Sequence, residues 1–219
     1  MQKIRIVGDL HQKYSEFCKI ADDDLPIIQV GDFGYDYSIL KHFHEDSLRI
    51  IFGNHEHHVD RFVWPHFLNS YGEVEFHGLK FFYVGGAFSI DWKLREKYRV
   101  EGVWPRTWWQ EEELSYNELQ KAIDLYIQVK PKIVITHEPI RTVAKITGSD
   151  DFLRNWGYDP KTFTTRTGEA LERMFDAWQP KIWISGHMHK KWSRIINGTE
   201  YISLGELEYI DIDCDGNHD

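Results

Sequence analysis

The stretch KIRIVGDLH, residues 3–11, decides how the rest of the chain is read. Its opening is short, apolar and rich in isoleucine and valine, which reads as a buried strand. The run stops at Gly8 and delivers Asp9 and His11. Apolar runs ending in such residues return four times, three of them with the glycine: QVGDF delivers Asp32, IFGNHE Asn54 and His55, ISGHMH His187 and His189, and VITHEP, without it, His137. Carboxylates, an amide and imidazoles are thereby set where several strands end, on one rim of a sheet. Five such blocks in this order and phase point to a two-metal hydrolytic site.

Outward from that stretch, residues 3–8, 26–31 and 48–53 read as strands, with helical stretches over 14–21 and 37–44 between them. A β-α-β-α-β opening implies a parallel sheet, and ligands at the carboxyl ends of its strands follow the rule for open α/β sheets. Further strands are expected over 79–84, 132–136 and 181–185. Residues 111–129 carry an apolar stripe (Leu119, Ala122, Ile123, Tyr126, Ile127) with Ser115 as a cap, and predict a helix. Residues 168–178 predict a second. Asn197-Gly198 between residues 192–196 and 201–204 is a hairpin turn, and 207–212 can add a last strand. The order fits a four-layer α/β/β/α sandwich of two mixed sheets flanked by helices, one domain over 1–219. Residues 91–110, where four tryptophans alternate with cations, and 140–167, a long polar connection, read as elaborations near the rim. Asp22, Asp23 and Asp24 read as a solvated turn.

The donor types explain one another. Two divalent ions about 4 Å apart require a bridging anion with nitrogen and oxygen donors on each flank. Imidazole beside carboxylate suits Mn, Fe, Zn or Ni better than Ca. Asp9 and His11 are two residues apart, so in extended backbone both point the same way; His187 and His189 repeat that spacing. Asn54 can give a neutral oxygen and leave His55 free for acid–base work.

Composition narrows the class. With 26 basic and 35 acidic residues the net charge is −9, which disfavours nonspecific binding to long nucleic acid. Cys18 and Cys214 are the two cysteines and form no CxxC, so neither a disulfide framework nor a zinc knuckle is indicated. No apolar run approaches the ~20 residues of a membrane span, and a cytoplasmic location is expected.

The five motifs resemble those of the calcineurin-like metallophosphoesterase superfamily: D-x-H, G-D, G-N-H-[D/E], a lone His, and G-H-x-H. The resemblance runs from position 3 to about 205. It implies that Asp9, His11, Asp32 and His189 hold a first metal, and that Asp32 bridges to a second held by Asn54, His137 and His187. It implies hydroxide attack on phosphorus, with His55 assisting the leaving group. Two divalent ions are expected, Mn2+ first, with Fe, Zn, Ni or Mg as alternatives. The substrate class is a phosphoester, monoester or diester, on a nucleotide, a nucleic-acid end or a small metabolite. Two other readings stand beside it: a catalytically weak metal-binding scaffold of the same fold, and a phosphoprotein phosphatase. Against the latter, GDFGYD lacks the arginine of the protein phosphatases. Asp36 and Glu56 are both candidates to orient His55. Residues 91–110 are expected to read a base through Trp108 or Trp109.

Overall fold

The computed structural model describes residues 3–21 and 24–218. Asp22 and Asp23, from the polar turn read in the sequence, lie outside them. The first sheet has four strands in the order β10-β1-β2-β3, formed by Tyr209–Ile212, Ile4–Val7, Ile27–Gln29 and Leu48–Ile50. β1, β2 and β3 run parallel, and β10 returns antiparallel against β1. The second sheet has six strands: β4 (Tyr71–Phe76), β5 (Leu79–Val84), β6 (Ile133–Thr136), β7 (Ile182–Ser185), β9 (Thr199–Ser203) and β8 (Trp192–Ile196), in that spatial order. Both sheets are mixed. The expected hairpin turn is present, with Asn197 and Gly198 both at positive φ.

Strand alternation builds the layers. Successive side chains leave a strand on opposite faces, and here both faces are apolar because each is covered. Ile4, Ile6, Ile28 and Ile51 meet Phe81, Tyr83, Ile135 and Ile184 in the core between the two sheets. On the outer face of the first sheet, Val7, Ile27, Leu48 and Ile50 pack on Phe17 of α1 (Tyr14–Ile20) and on Leu40. On the outer face of the second, Phe82, Val134 and Trp183 meet Leu119, Ile123 and Tyr126 of α3 (Tyr116–Val129) and Leu171 and Phe175 of α6 (Arg166–Ala177). The expected order of helix, sheet, sheet and helix is what these three cores produce.

Two local expectations are corrected. Residues 37–44 form only a 3₁₀ turn, Ser38–His42. Tyr37, Leu40 and Phe43 all face the outer core of the first sheet, and a spacing of three is the period of a 3₁₀ helix rather than an α-helix. The helix expected from 111 begins at Tyr116, because Ser115 and Glu118 close a capping box there while Gln110–Glu112 makes a separate turn. The elaboration over 91–110 contains α2 (Trp92–Val100), and the polar connection over 140–167 contains α4 (Arg141–Thr147) and α5 (Asp150–Asn155). Strand β4 went unread in the sequence, although Val74 and Phe76 alternate with Glu73 and Glu75.

Candidate active site

Asp9 follows β1, Asp32 follows β2 and Asn54 follows β3; His137 follows β6 and His187 follows β7. Donor side chains from the first sheet therefore face donor side chains from the second across the end of the central core. The turns leave little room. A Cβ on Gly53 would overlap Asp32 Oδ1 and His137 Nε2, and one on Gly186 would overlap Asp9 Oδ1. Glycine precedes these donors because the neighbouring donors occupy the space a side chain would need.

The donor atoms of Asp9, His11, Asp32 and His189 all lie within 4.8 Å of one another, and those of Asp32, His137 and His187 do the same. Asp32 belongs to both groups. Its Oδ1 accepts from the backbone N–H of Asn54 and of His55, each at 2.9 Å, and lies 3.2 Å from His137 Nε2. Its Oδ2 is buried and has no hydrogen-bond partner. A buried carboxylate oxygen left without a donor is costly, and a cation is the group that satisfies it. Across the first group, His11 Nε2 and His189 Nε2 approach to 2.7 Å, and His189 Nε2 lies 3.0 Å from Asp9 Oδ2. Both carboxylates, the imidazoles and the Asn54 amide fit divalent ions of intermediate softness.

Neighbours aim the ligands. His137 Nδ1 is 2.8 Å from the Val30 carbonyl, which can only accept, so Nδ1 carries a proton and Nε2 is turned towards Asp32 and Asn54 Oδ1. Asn54 Nδ2 donates to Ser89 Oγ at 3.0 Å, which turns Oδ1 inward. The His187 backbone N–H donates to the Asp9 carboxylate at 3.0 Å. Charge follows the same pattern. Burial penalises the Asp32 anion, but His137 first and then His55 hold its carboxyl well below the usual range. Burial also opposes a charged His137, yet Asp32 raises it to about 10. Burial and the nearby His137 press His187 down to about 3. In the metal-free cluster, one proton on His137 stands where positive charge is wanted.

His55 lies against His11, ring centroids 5.0 Å apart. Neither expected orienting residue touches it. Asp36 is exposed and accepts from Ser38 N–H; Glu56 accepts from the N–H groups of Phe33 and Gly53 at 2.6 and 2.7 Å, tying two ligand turns together. The partner is Arg95 of α2, only 4% exposed, whose Nη2 is 3.0 Å from His55 Nε2. A guanidinium can only donate, so Nε2 accepts and Nδ1 carries the proton, 3.5 Å from the Tyr35 hydroxyl. Burial pushes the pKa of His55 down to about 4. Arg95 also donates to Ser89 Oγ and, through Nε, to both oxygens of Asp91. Glu112 completes the set by accepting from Ser89 Oγ. The sequence signal for Arg95 was its place among the cations of 91–110 and the Asp91–Arg95 spacing of four.

Three tryptophans of that segment pack on other rings, while Trp104 is exposed. Trp109 is 5% exposed and lies against Tyr35 and His57, and Trp108 pairs with Trp92 at 5.1 Å. A base-reading role for Trp109 is corrected on that ground, since a buried ring has no free face. His57 and His58, next to the third motif, pack on Trp109 and Phe62 and join neither donor group.

A search of curated proteins finds no match by sequence. Among solved structures, the chain is similar to a phosphopantetheinyl hydrolase from Mycobacterium tuberculosis at 12% identity and a TM-score of 0.48, covering 93% of this chain and 89% of that one. It is also similar to an archaeal phosphodiesterase at 14% identity and a TM-score of 0.44, covering 99% and 97%. The model of the family described as calcineurin-like phosphoesterase matches residues 2–191. The chain belongs to the calcineurin-like phosphoesterase family and is a metal-dependent phosphoesterase.

Proposed function

We propose that the chain hydrolyses phosphoesters at a centre of two divalent ions bridged by Asp32. The observation that carries this reading is that Asp32 is shared by both donor groups while its buried Oδ2 lacks a hydrogen-bond partner. Asp9, His11 and His189 complete one position; Asn54, His137 and His187 complete the other. Mn2+ is the proposed ion, on the mixture of carboxylate, amide and imidazole. Bound there, such ions supply Lewis acidity and make a water acidic enough to attack phosphorus near neutral pH. Because the ligands come from both sheets, residues 1–219 are proposed to act as one domain. Cys18 and Cys214 are free and exposed, which suits a reducing, cytoplasmic location.

The chain's own residues hold and aim. Val30 and Ser89 fix the ring of His137 and the amide of Asn54, so neither must reorient when substrate arrives. His55 is proposed to stand beside the phosphoryl group and assist the departing oxygen. Burial keeps its ring neutral in the free protein, and an anionic phosphoester next to it offsets that penalty and favours the protonated ring.

Asp32→Asn tests the centre directly. The variant is expected to lose metal at both positions, read by elemental analysis after dialysis. Two full equivalents in the variant would refute the bridge. His55→Ala is expected to keep both metals and to lose roughly 10²–10⁴-fold in turnover of an ester with a poor leaving group. The loss should be smaller on p-nitrophenyl phosphate, whose leaving group departs without a proton. Equal losses on the two esters would assign His55 to phosphoryl positioning instead.

A further inference from the structure

Beside the donor cluster opens a cavity of about 570 Å³ that reaches Asp32, Asn54, His55, His187 and His189. That is the size of a small-molecule pocket. Its far wall comes from residues 140–167 and the turn after β5, and it is apolar: Phe88, Ile90, Phe152, Leu153, Trp156 and Phe163. Met188, between two ligand histidines, extends that surface to the metal rim.

Most polar side chains in the same wall are already engaged by the chain. Ser149 Oγ accepts from Phe152 N–H and caps α5. Thr165 Oγ1 donates to Glu138 and accepts from Gly168 N–H; the other Glu138 oxygen accepts from Phe88 N–H. Thr164 and Arg141 both donate to Glu169, Thr147 to the Val143 carbonyl, and Asp91 is held by Arg95. Lys145 is exposed and brings a positive charge to this side of the cavity. A site that reads a nucleobase needs donors and acceptors facing the ligand, and apart from the cations Lys145 and Arg141 this wall has spent them on itself. What it offers is apolar area, where discrimination comes from carbon burial.

We propose that this cavity receives a large apolar group, an aromatic bicycle or hydrocarbon of that bulk, esterified to the phosphate held at the metal rim. The substrate is then the phosphoester of a hydrophobic alcohol or phenol rather than a nucleotide. Hydrolysis adds the elements of water across the P–O bond and releases the apolar alcohol and phosphate. The inference rests on the reading of the carboxylate–histidine cluster as the hydrolytic centre.

Steady-state kinetics of the Mn-loaded protein on phenyl phosphate, 1-naphthyl phosphate and adenosine monophosphate test it, since the two phenols are similar leaving groups. 1-Naphthyl phosphate is expected to exceed phenyl phosphate in kcat/KM by ~10-fold or more, the scale set by a few additional buried carbons. Adenosine monophosphate should fall below both. Activity without that preference, or with the nucleotide foremost, overturns the cavity assignment and leaves the hydrolytic centre standing. No hydrolysis of these or of bis-p-nitrophenyl phosphate overturns the centre and the proposal together. A readout independent of turnover is calorimetric binding of 1-naphthylmethylphosphonate against methylphosphonate, where equal affinities count against the proposal. Phe152 is 52% exposed, so Phe152→Ala should fold, and with Trp156→Ala it is expected to bring the naphthyl-to-phenyl ratio towards one. Ile195→Ala, a comparably exposed apolar residue outside the cavity, should leave the ratio as in the unaltered chain. A ratio unmoved by the cavity variants places the apolar group elsewhere.

Discussion

Arg95 turns one guanidinium on several neighbours at once, and that is why its replacement should reach the chemistry without touching a metal. It holds His55 at 3.0 Å, Ser89 at 3.1 Å and the Thr107 carbonyl at 2.9 Å, and is anchored by Asp91. Arg95→Met is expected to retain both metal equivalents and to lower kcat about 10–100-fold, the usual effect of removing a partner that orients a site residue. Guanidinium in the buffer should restore part of the loss; loss of metal, or no rescue, would reduce Arg95 to a packing role. Gly53→Ala makes a complementary case. Its methyl would displace Asp32 and His137, so the variant should fold yet bind less than one equivalent, and full binding would contradict the close approach. The clustered donors were legible in sequence because each follows an apolar strand within a few residues. Arg95 was not, because its partner His55 lies forty positions earlier and the one local signal, an acidic residue four positions before it, marks any helical ion pair.

Elements divide in the same way between those that signal themselves and those that do not. α3 and α6 each bury a continuous stripe, and periodicity reveals them. α2 buries only Arg95 and α5 buries nothing, so no apolar period marks them, and local ion pairs such as Arg99 with Glu96 support them instead. At the start of α3, Ser115 Oγ accepts from Glu118 N–H at 3.3 Å while the Glu118 carboxylate accepts from Ser115 N–H at 2.9 Å. Ser115→Ala should cost about 1 kcal/mol in urea denaturation with kcat unchanged, since the cap lies outside both donor groups. A fall in turnover at full metal content would show that α3 reaches the site. At its other end Lys130 closes the helix at φ 51°, where Lys130→Gly should relieve left-handed strain and gain up to about 1 kcal/mol.

For the whole molecule, buried ionisable groups set a pH dependence of stability with one sign near neutrality. Burial pushes Glu56, Glu112 and Glu138 each up to about 8 from 4.5. Against burial, Asp32 raises His137 to about 10 from 6.5. Between pH 6.5 and 8 the folded chain therefore binds more protons than the unfolded one, and stability falls as pH rises. Each fully displaced group contributes at most about 1.4 kcal/mol per pH unit. His55 and His187, lowered to about 4 and 3, act oppositely, but only below 6.5. Denaturation of chelated protein across that window should show the decline, flattened in Glu112→Gln; stability rising with pH would contradict it. The placement of donors on facing sheets also has a consequence in time. Asp9, Asp32 and Asn54 leave the ribosome well before His137 and His187, on the order of ten seconds earlier at ~5–20 residues per second. Throughout that interval the nascent chain carries one jaw of a clamp whose other jaw has not been made. On the proposed centre, an ion met by the early half would be held by an incomplete donor set until the late histidines close both groups.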